Sequence, residues 1–398
     1  MSDRPVYMDN QATTRVDPQV VEAMAPWWTE HYGNPGSVSH AFGWEAKEAV
    51  DDATNRIAAA LGARPREIIY TSGATESNNL ALLGAARHHR RRGNHIVSVV
   101  TEHKSVLDPL ARLASQDFEV TLLDVAGHAE PCPGLIDLHH FEASVRDDTA
   151  LVSVMLVNNE IGLIQPLAEI GRICKEHGIL LHCDAAQAVG KIALDVEQLQ
   201  VDLLSFSGHK IYGPRGIGVL YVRRRAPHVR LEPLIFGGGQ QQGLRSGTLN
   251  VPAIVGLAKA VELCDAELTA ESERLAQLRQ RLYDGIVAGL TDVHLNGPSL
   301  DDAAVRLVGN LNLGFDYVDG EALMMSMGTL AVSSGSACTS ESPEPSHVLR
   351  ALGLNDDRVR GSLRFGLGRF NTDEDVDRAV NDLVESVKRL RKLSSMAS

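Results

Sequence analysis

Gly178-Ile179-Leu180-Leu181-His182-Cys183-Asp184 is a short apolar run that ends on an acid, and similar runs recur on both sides of it. They are 67–73 (EIIYTSG), 94–100 (NHIVSVV), 150–157 (ALVSVMLV), 202–208 (DLLSFSG) and 216–222 (GIGVLYV), with helical patterns between most of them. That alternation predicts an α/β fold: a mainly parallel sheet wrapped by helices, with its ligand site beyond the carboxyl ends of the strands. Upstream, Ala46, Ala49, Val50, Ala53, Ile57 and Leu61 recur at helical spacing and stop at Gly62, which predicts a helix packed on the sheet. After about Leu263 the texture changes. Leu275, Leu278, Leu282 and Ile286 form one helical stripe and Val376, Val380, Leu383, Val387 and Leu390 another, with strand-like pieces at 306–313 and 362–367 between them. A second, smaller α+β domain is expected there, with its boundary near 263.

The chain's 398 residues are ample for a large core and more than one domain. Its net charge of −13 opposes general nucleic-acid binding. No apolar run is long enough to cross a bilayer, and 1–10 (MSDRPVYMDN) has no apolar signal core, so the expected location is the cytoplasm, away from membranes. The five cysteines are scattered without a C-x-x-C pair, which fits neither a disulfide framework nor a zinc ribbon, and no metal is expected. The basic runs at 87–92 and 223–225 read as a solvated helix end and the tail of a strand.

Three features carry chemistry. Thr71-Ser72-Gly73-Ala74-Thr75-Glu76 joins a strand to a helical pattern, and helix N-terminal amides flanked by hydroxyls suit a phosphate as well as a plain capped turn. Ser205-Phe206-Ser207-Gly208-His209-Lys210 brings a lysine to the end of a buried strand, where desolvation favours a neutral amine able to condense with an aldehyde. Asp184, 26 residues earlier, ends another strand. An acid for a pyridinium nitrogen, an amine for an aldehyde carbon and a phosphate cradle together match pyridoxal 5'-phosphate.

In order along the chain, TSGATESNN, TEHKSV, VNNEIG, HCDAAQAVGK, SFSGHKIYGPRGIG, RSGTLN, SSGSACTS and LRFGLGRF make the sequence resemble the pyridoxal-phosphate-dependent cysteine desulfurases of the NifS/IscS type, over nearly its whole length. The resemblance implies the fold type I architecture of these transferases, with a large cofactor-binding domain at 16–262 and a small domain made of 1–15 plus 263–398. It also implies a homodimer. It makes Lys210 the residue bonded to the cofactor's aldehyde carbon and Asp184 the partner of the pyridine nitrogen, with Gln187 and Asn159 near the phenolic oxygen. Ala74, Thr75, Ser207 and His209 hold the phosphate, helped by Thr248 of the partner subunit. His103 stacks on the ring and shares in proton transfer, and Arg364, with Asn159, binds the substrate's carboxylate end.

Cys338 lies in 333–343 (SSGSACTSESP), small polar residues without an apolar anchor, so the loop at about 333–345 is expected to be exposed and mobile, as a sulfur carrier must be. Cys174 and Cys183 sit in apolar patterns and are expected to be inert. The implied reaction converts L-cysteine to L-alanine. The sulfur passes to Cys338 as a persulfide and then to an acceptor protein for iron–sulfur cluster assembly or for thiolation of tRNA or another biomolecule. His103 is the expected acid–base partner of that thiol.

Two departures stand out. The family's GGG-(His/Gln)-Glu segment reads Gly237-Gly238-Gly239-Gln240-Gln241-Gln242, neutral where an acid is usual, and the end RLRKLSSMAS lacks the longer tail with which housekeeping members dock an iron–sulfur scaffold. The rivals are a selenocysteine lyase or another pyridoxal-phosphate enzyme on the same fold, a metal or redox module at His182-Cys183-Asp184, and a silent sulfur-transfer scaffold. Alternation along a strand opposes the second, and the pairing of Lys210 with Cys338 opposes the third.

Overall fold

A computed structural model describes residues 4–225, 228–334 and 345–393. Its centre is a seven-stranded sheet in the order Ile68–Thr71, Gly218–Val222, Leu203–Ser207, Leu180–Asp184, Thr149–Ser153, His95–Val99, Glu119–Leu123. Gly218–Val222 runs antiparallel to both its neighbours, and the other adjacent pairs are parallel. Interior strands are buried on both faces, which is why they read as continuous apolar runs. Alternation sends Leu180, Leu203 and Leu220 to one core, and Leu181, Leu204 and Tyr221 to the other.

The helix Ala41–Ala60 buries Ala46, Val50, Ala53 and Ile57 against the second of these cores, as its spacing predicts. Gly62, two residues past the helix end, has φ +67, which favours glycine, and a Cβ there would lie 2.5 Å from the Asp195 carboxylate.

At the second domain one expected strand is corrected, and the expected boundary lies within a helix. The boundary near 263 falls inside one 39-residue helix, Val251–Gly289. At 1.5 Å per residue it spans about 58 Å. Its first half buries Ile254, Leu257, Val261 and Cys264 in the sheet's core, and its second half buries Leu275, Leu278, Leu282 and Ile286 in a separate core. Between the two the apolar stripe lapses, because residues 265–274 cross from one core to the other with little to bury, and that lapse reads in sequence as a domain break. The strand expected from 306 begins only at Asn310 and runs to Phe315. Arg306 lies before it in the loop, fully buried, donating to the carbonyls of Pro298 and Asn296 and to Asn310 Oδ1.

Asn310–Phe315 pairs antiparallel with Ser362–Gly366 and Val293–Leu295, and the helix Asp373–Leu393 packs into the same core through Val376, Leu383 and Val387. The N-terminal strand Val6–Tyr7 joins this unit through Leu330–Ala331, and the chain then crosses to the large sheet, where Thr14 N donates to His209 O at 2.8 Å.

His182, in the middle of the large sheet, is fully buried between Ser153 Oγ at 2.9 Å and Ser205 Oγ at 3.1 Å. Burial pushes its pKa down to about 4, against the pull of Asp184. Between pH 6.5 and 4 the unfolded chain therefore binds a proton here that the folded chain refuses, so this group's stabilisation is complete above pH 6.5 and is lost as pH falls toward 4, an effect of a few kcal/mol. Thermal melts from pH 7 to 4.5 should show a shallower acid-side fall in His182→Asn than in the parent. Parallel curves would refute this assignment.

Candidate active site

The carboxyl ends of the parallel strands open into a cavity of about 580 Å³. The strand Ile68–Thr71 delivers Ser72, Gly73, Ala74 and Thr75 to its wall, where the helix Ala74–His89 starts. Thr71 Oγ1 donates to Gly73 O at 3.0 Å, and the Glu76 carboxylate accepts from Ser72 N at 2.8 Å while pairing with Arg245 Nε at 2.8 Å. Burial works to raise the Glu76 pKa, but the Arg245 guanidinium and the Ser72 donors outweigh it and the carboxyl is held ionised. A Cβ on Gly218 would fall 2.6 Å from the Gly73 backbone, so the antiparallel strand can press against this turn only as glycine.

The strand Leu203–Ser207 and the short turn Gly208–Lys210 supply Ser207, His209 and Lys210. Lys210 Nζ donates to the carbonyls of Gln11 and Ala12, the latter at 2.8 Å. His209 has its pKa pushed down to about 4 by burial and then by the charges of Lys210, Arg215 and Lys191. A neutral imidazole ringed by cations beside a helix N-terminus is an environment for an anion.

Asp184 ends its strand buried, accepting from Asn78 Nδ2 at 2.8 Å and from Ala186 N at 2.9 Å. Gln187 donates to Gln11 O at 2.8 Å and accepts from Lys191 Nζ at 2.7 Å. His103 caps the helix Lys104–Ala114, its Nδ1 accepting from Ser105 N at 3.0 Å. Asn159 and Arg364 close the far wall. Arg364, 1 % exposed, pairs through its guanidinium with Asp9 at 2.8 Å and donates to Asn159 O at 3.0 Å.

The expected site residues other than two thus line one cavity: Lys210, Asp184, His103, Ala74, Thr75, Asn159, Gln187, Ser207, His209 and Arg364. Thr248 is exposed and outside its lining. Cys338, with the 335–344 part of its loop, lies outside the described residues. The donor set fits pyridoxal 5'-phosphate: an amine, a buried carboxylate and a cationic phosphate cradle share one space of suitable size.

Sequence reasoning passed over several residues. Gln11, Ala12 and Thr13 reach the cavity from the N-terminal segment. Ser105 also lines the cavity, Asn78 is buried against Ser105 and Asp184, and the buried Glu102 has its carboxyl pushed well up by burial and by the Asp184 charge. A polar side chain on the inner face of an apolar helix was the available signal for Asn78. The departure at Gln241 has a local reason: its amide accepts from Tyr70 N at 2.5 Å and donates to Tyr70 O at 2.7 Å, closing the edge of the sheet. A carboxylate could make only the first bond. The basic run 223–225 is more than a strand tail: Arg223 pairs with Asp202, and Arg225 with Glu67 and Glu197.

The family described as "Aminotransferase class-V" matches residues 6–379. A protein named "Cysteine desulfurase IscS" from Methylococcus capsulatus is 53 % identical over 98 % of this chain and 94 % of its own length. Among solved structures, a "NIFS-like protein" superposes with a TM-score of 0.88 at 37 % identity, over 97 % of this chain and 100 % of that one. "SspA in complex with cysteine" gives 0.79 at 38 %, over 92 % and 99 %. A mainly parallel sheet with a strand-end cavity of this make-up is the fold type I architecture of the class-V aminotransferases. Within that class, the chain belongs to the cysteine desulfurase family, whose members are pyridoxal-phosphate-dependent enzymes.

Proposed function

We propose that this enzyme takes sulfur from L-cysteine and releases L-alanine, using pyridoxal 5'-phosphate held in the 580 Å³ cavity. The observation that carries this is the convergence of Lys210, Asp184 and the N-terminus of the helix Ala74–His89 on that one space. Ala74, Thr75, Ser207 and His209 hold the phosphate, Asp184 faces the ring nitrogen, Gln187 and Asn159 the phenolic oxygen, and Lys210 bonds the aldehyde carbon. When bound, the cofactor supplies an electron sink that weakens bonds at the substrate's carbons.

The chain's own groups do the rest. Arg364, which already holds one carboxylate, Asp9, binds that of the substrate. Lys210 Nζ moves the proton at the substrate's α-carbon. The Cys338 thiolate attacks the substrate sulfur: a sulfur–sulfur bond forms, the carbon–sulfur bond breaks, and its electron pair stays with carbon, which takes up a proton to give alanine. Cys338 is left as a persulfide, and its outer sulfur passes to an acceptor protein of iron–sulfur cluster assembly or of tRNA or other thiolation.

A homodimer is part of this proposal. In it Thr248 of the partner subunit completes the phosphate site; the exposure of Thr248 outside its own chain's cavity is compatible with this, and the exposed Trp28, Trp44 and Phe236 support burial by a second copy. Two domains, 16–262 and 1–15 plus 263–398, and a cytoplasmic location complete it. Among the described residues no helix is long and apolar enough to cross a membrane, and none group as three or more potential metal ligands. Loaded with cofactor and given L-cysteine, the protein should yield alanine and reducible sulfur in equal amounts. A keto acid in place of alanine would overturn the proposal.

A further inference from the structure

We infer that Asn78 and Ser105 are positioning residues that transmit the charge of Asp184 to the ring of His103 and fix which of its nitrogens carries the proton. Asn78 is fully buried in the second turn of the helix Ala74–His89. Its Nδ2 donates both hydrogens, one to Asp184 Oδ2 at 2.8 Å and one to Ser105 Oγ at 2.8 Å. Ser105 Oγ lies 2.7 Å from His103 Nδ1, and Ser105 N donates to the same nitrogen at 3.0 Å.

The direction of every bond follows from the acid. A carboxylate only accepts, so the Asn78 amide must turn its NH₂ toward Asp184; its oxygen there would meet like charge. The other Nδ2 hydrogen then makes Ser105 Oγ an acceptor from Asn78, and its own hydrogen is left for His103. With a hydroxyl and a backbone amide both donating to Nδ1, that nitrogen holds no proton, and neutral His103 carries its proton on Nε2. Asn78 Oδ1, buried and without a partner, shows the amide oriented for its donors at the expense of its acceptor. His103 in this form offers an N–H hydrogen bond from Nε2 and has no lone pair there to take a proton. That narrows the role expected from sequence, from acid–base partner of the attacking thiol to hydrogen-bond donor in the resting enzyme. This functional part rests on the proposed cysteine desulfurase reaction; the tautomer does not.

The test is ¹⁵N-histidine NMR of the cofactor-loaded enzyme, with His103→Gln to assign the resonance, joined to steady-state kinetics. The parent should show His103 as the Nε2–H tautomer near pH 7.5. Ser105→Ala, which keeps the backbone donor but removes the hydroxyl, should raise the share of Nδ1–H and lower kcat about tenfold, as loss of an orienting partner does, with KM within about twofold. Ser105→Thr, which restores the hydroxyl, should recover both. Because the links act in series, Asn78→Ala combined with Ser105→Ala should lose no more than the worse single variant. An Nδ1–H tautomer in the parent, an unchanged tautomer in Ser105→Ala, or additive losses would overturn the inference. If the parent makes no alanine from cysteine, the proposed reaction fails, while the tautomer still decides the linkage.

Discussion

Lys210→Ala is expected to abolish the visible absorbance of bound cofactor and to cost at least about 10⁴-fold in turnover, the upper end for loss of a proton-transferring group. In the proposed reaction the variant removes both the covalent anchor and the amine that moves the substrate proton. Among the described residues that line the cavity there is no second lysine. Lys191, bonded to the cavity residue Gln187, has its Nζ committed to Gln187 Oε1 at 2.7 Å and lies outside the lining of the large cavity. Burial and the Lys210 charge push its pKa down to about 7, so it is chemically able but wrongly placed. Phosphate contacts remain in the variant, so weak, colourless binding of the cofactor should survive in equilibrium dialysis. A variant that stays coloured and turns over would show that another amine does the work.

Cys338→Ser should separate the later step from the earlier ones: full cofactor colour, a spectral response to L-cysteine, and loss of sulfur transfer by at least about 10³-fold, because a hydroxyl is a far weaker nucleophile than a thiolate. Structure supports this by elimination. The other four cysteines are described, and none lines the cavity. Burial pushes the thiols of Cys174 and Cys183 far up; Cys264 is pushed up to about 11, and Cys132 is raised by burial and then by Asp302. Each is thus held as a thiol, the form that does not attack. Intact-protein mass spectrometry after brief exposure to L-cysteine should find one added sulfur on the parent and none on Cys338→Ser. An added sulfur on the variant would move the acceptor elsewhere.

What the sequence made legible was whatever local pattern controls. Buried parallel strands are continuous apolar runs, so their ends, and with them Asp184, Lys210 and the turn at 71–76, could be placed on one edge before any coordinates. What depended on side chains meeting across elements was not legible. Asn78, Ser105 and Asp184 come from two helices and a strand, separated by 27 and 106 residues, and nothing in their spacing announces the bonds between them. The same holds for Arg306, whose guanidinium is spent on loop carbonyls, and for the long helix, where one continuous element serves two cores and its unburied middle resembles a break.

The central claim, that this cavity holds a carbonyl cofactor on one particular amine, is tested most directly by borohydride reduction of the cofactor-loaded protein followed by peptide mapping. A single reduced adduct, on Lys210, is expected. An adduct on Lys191, or none on any lysine, would contradict it.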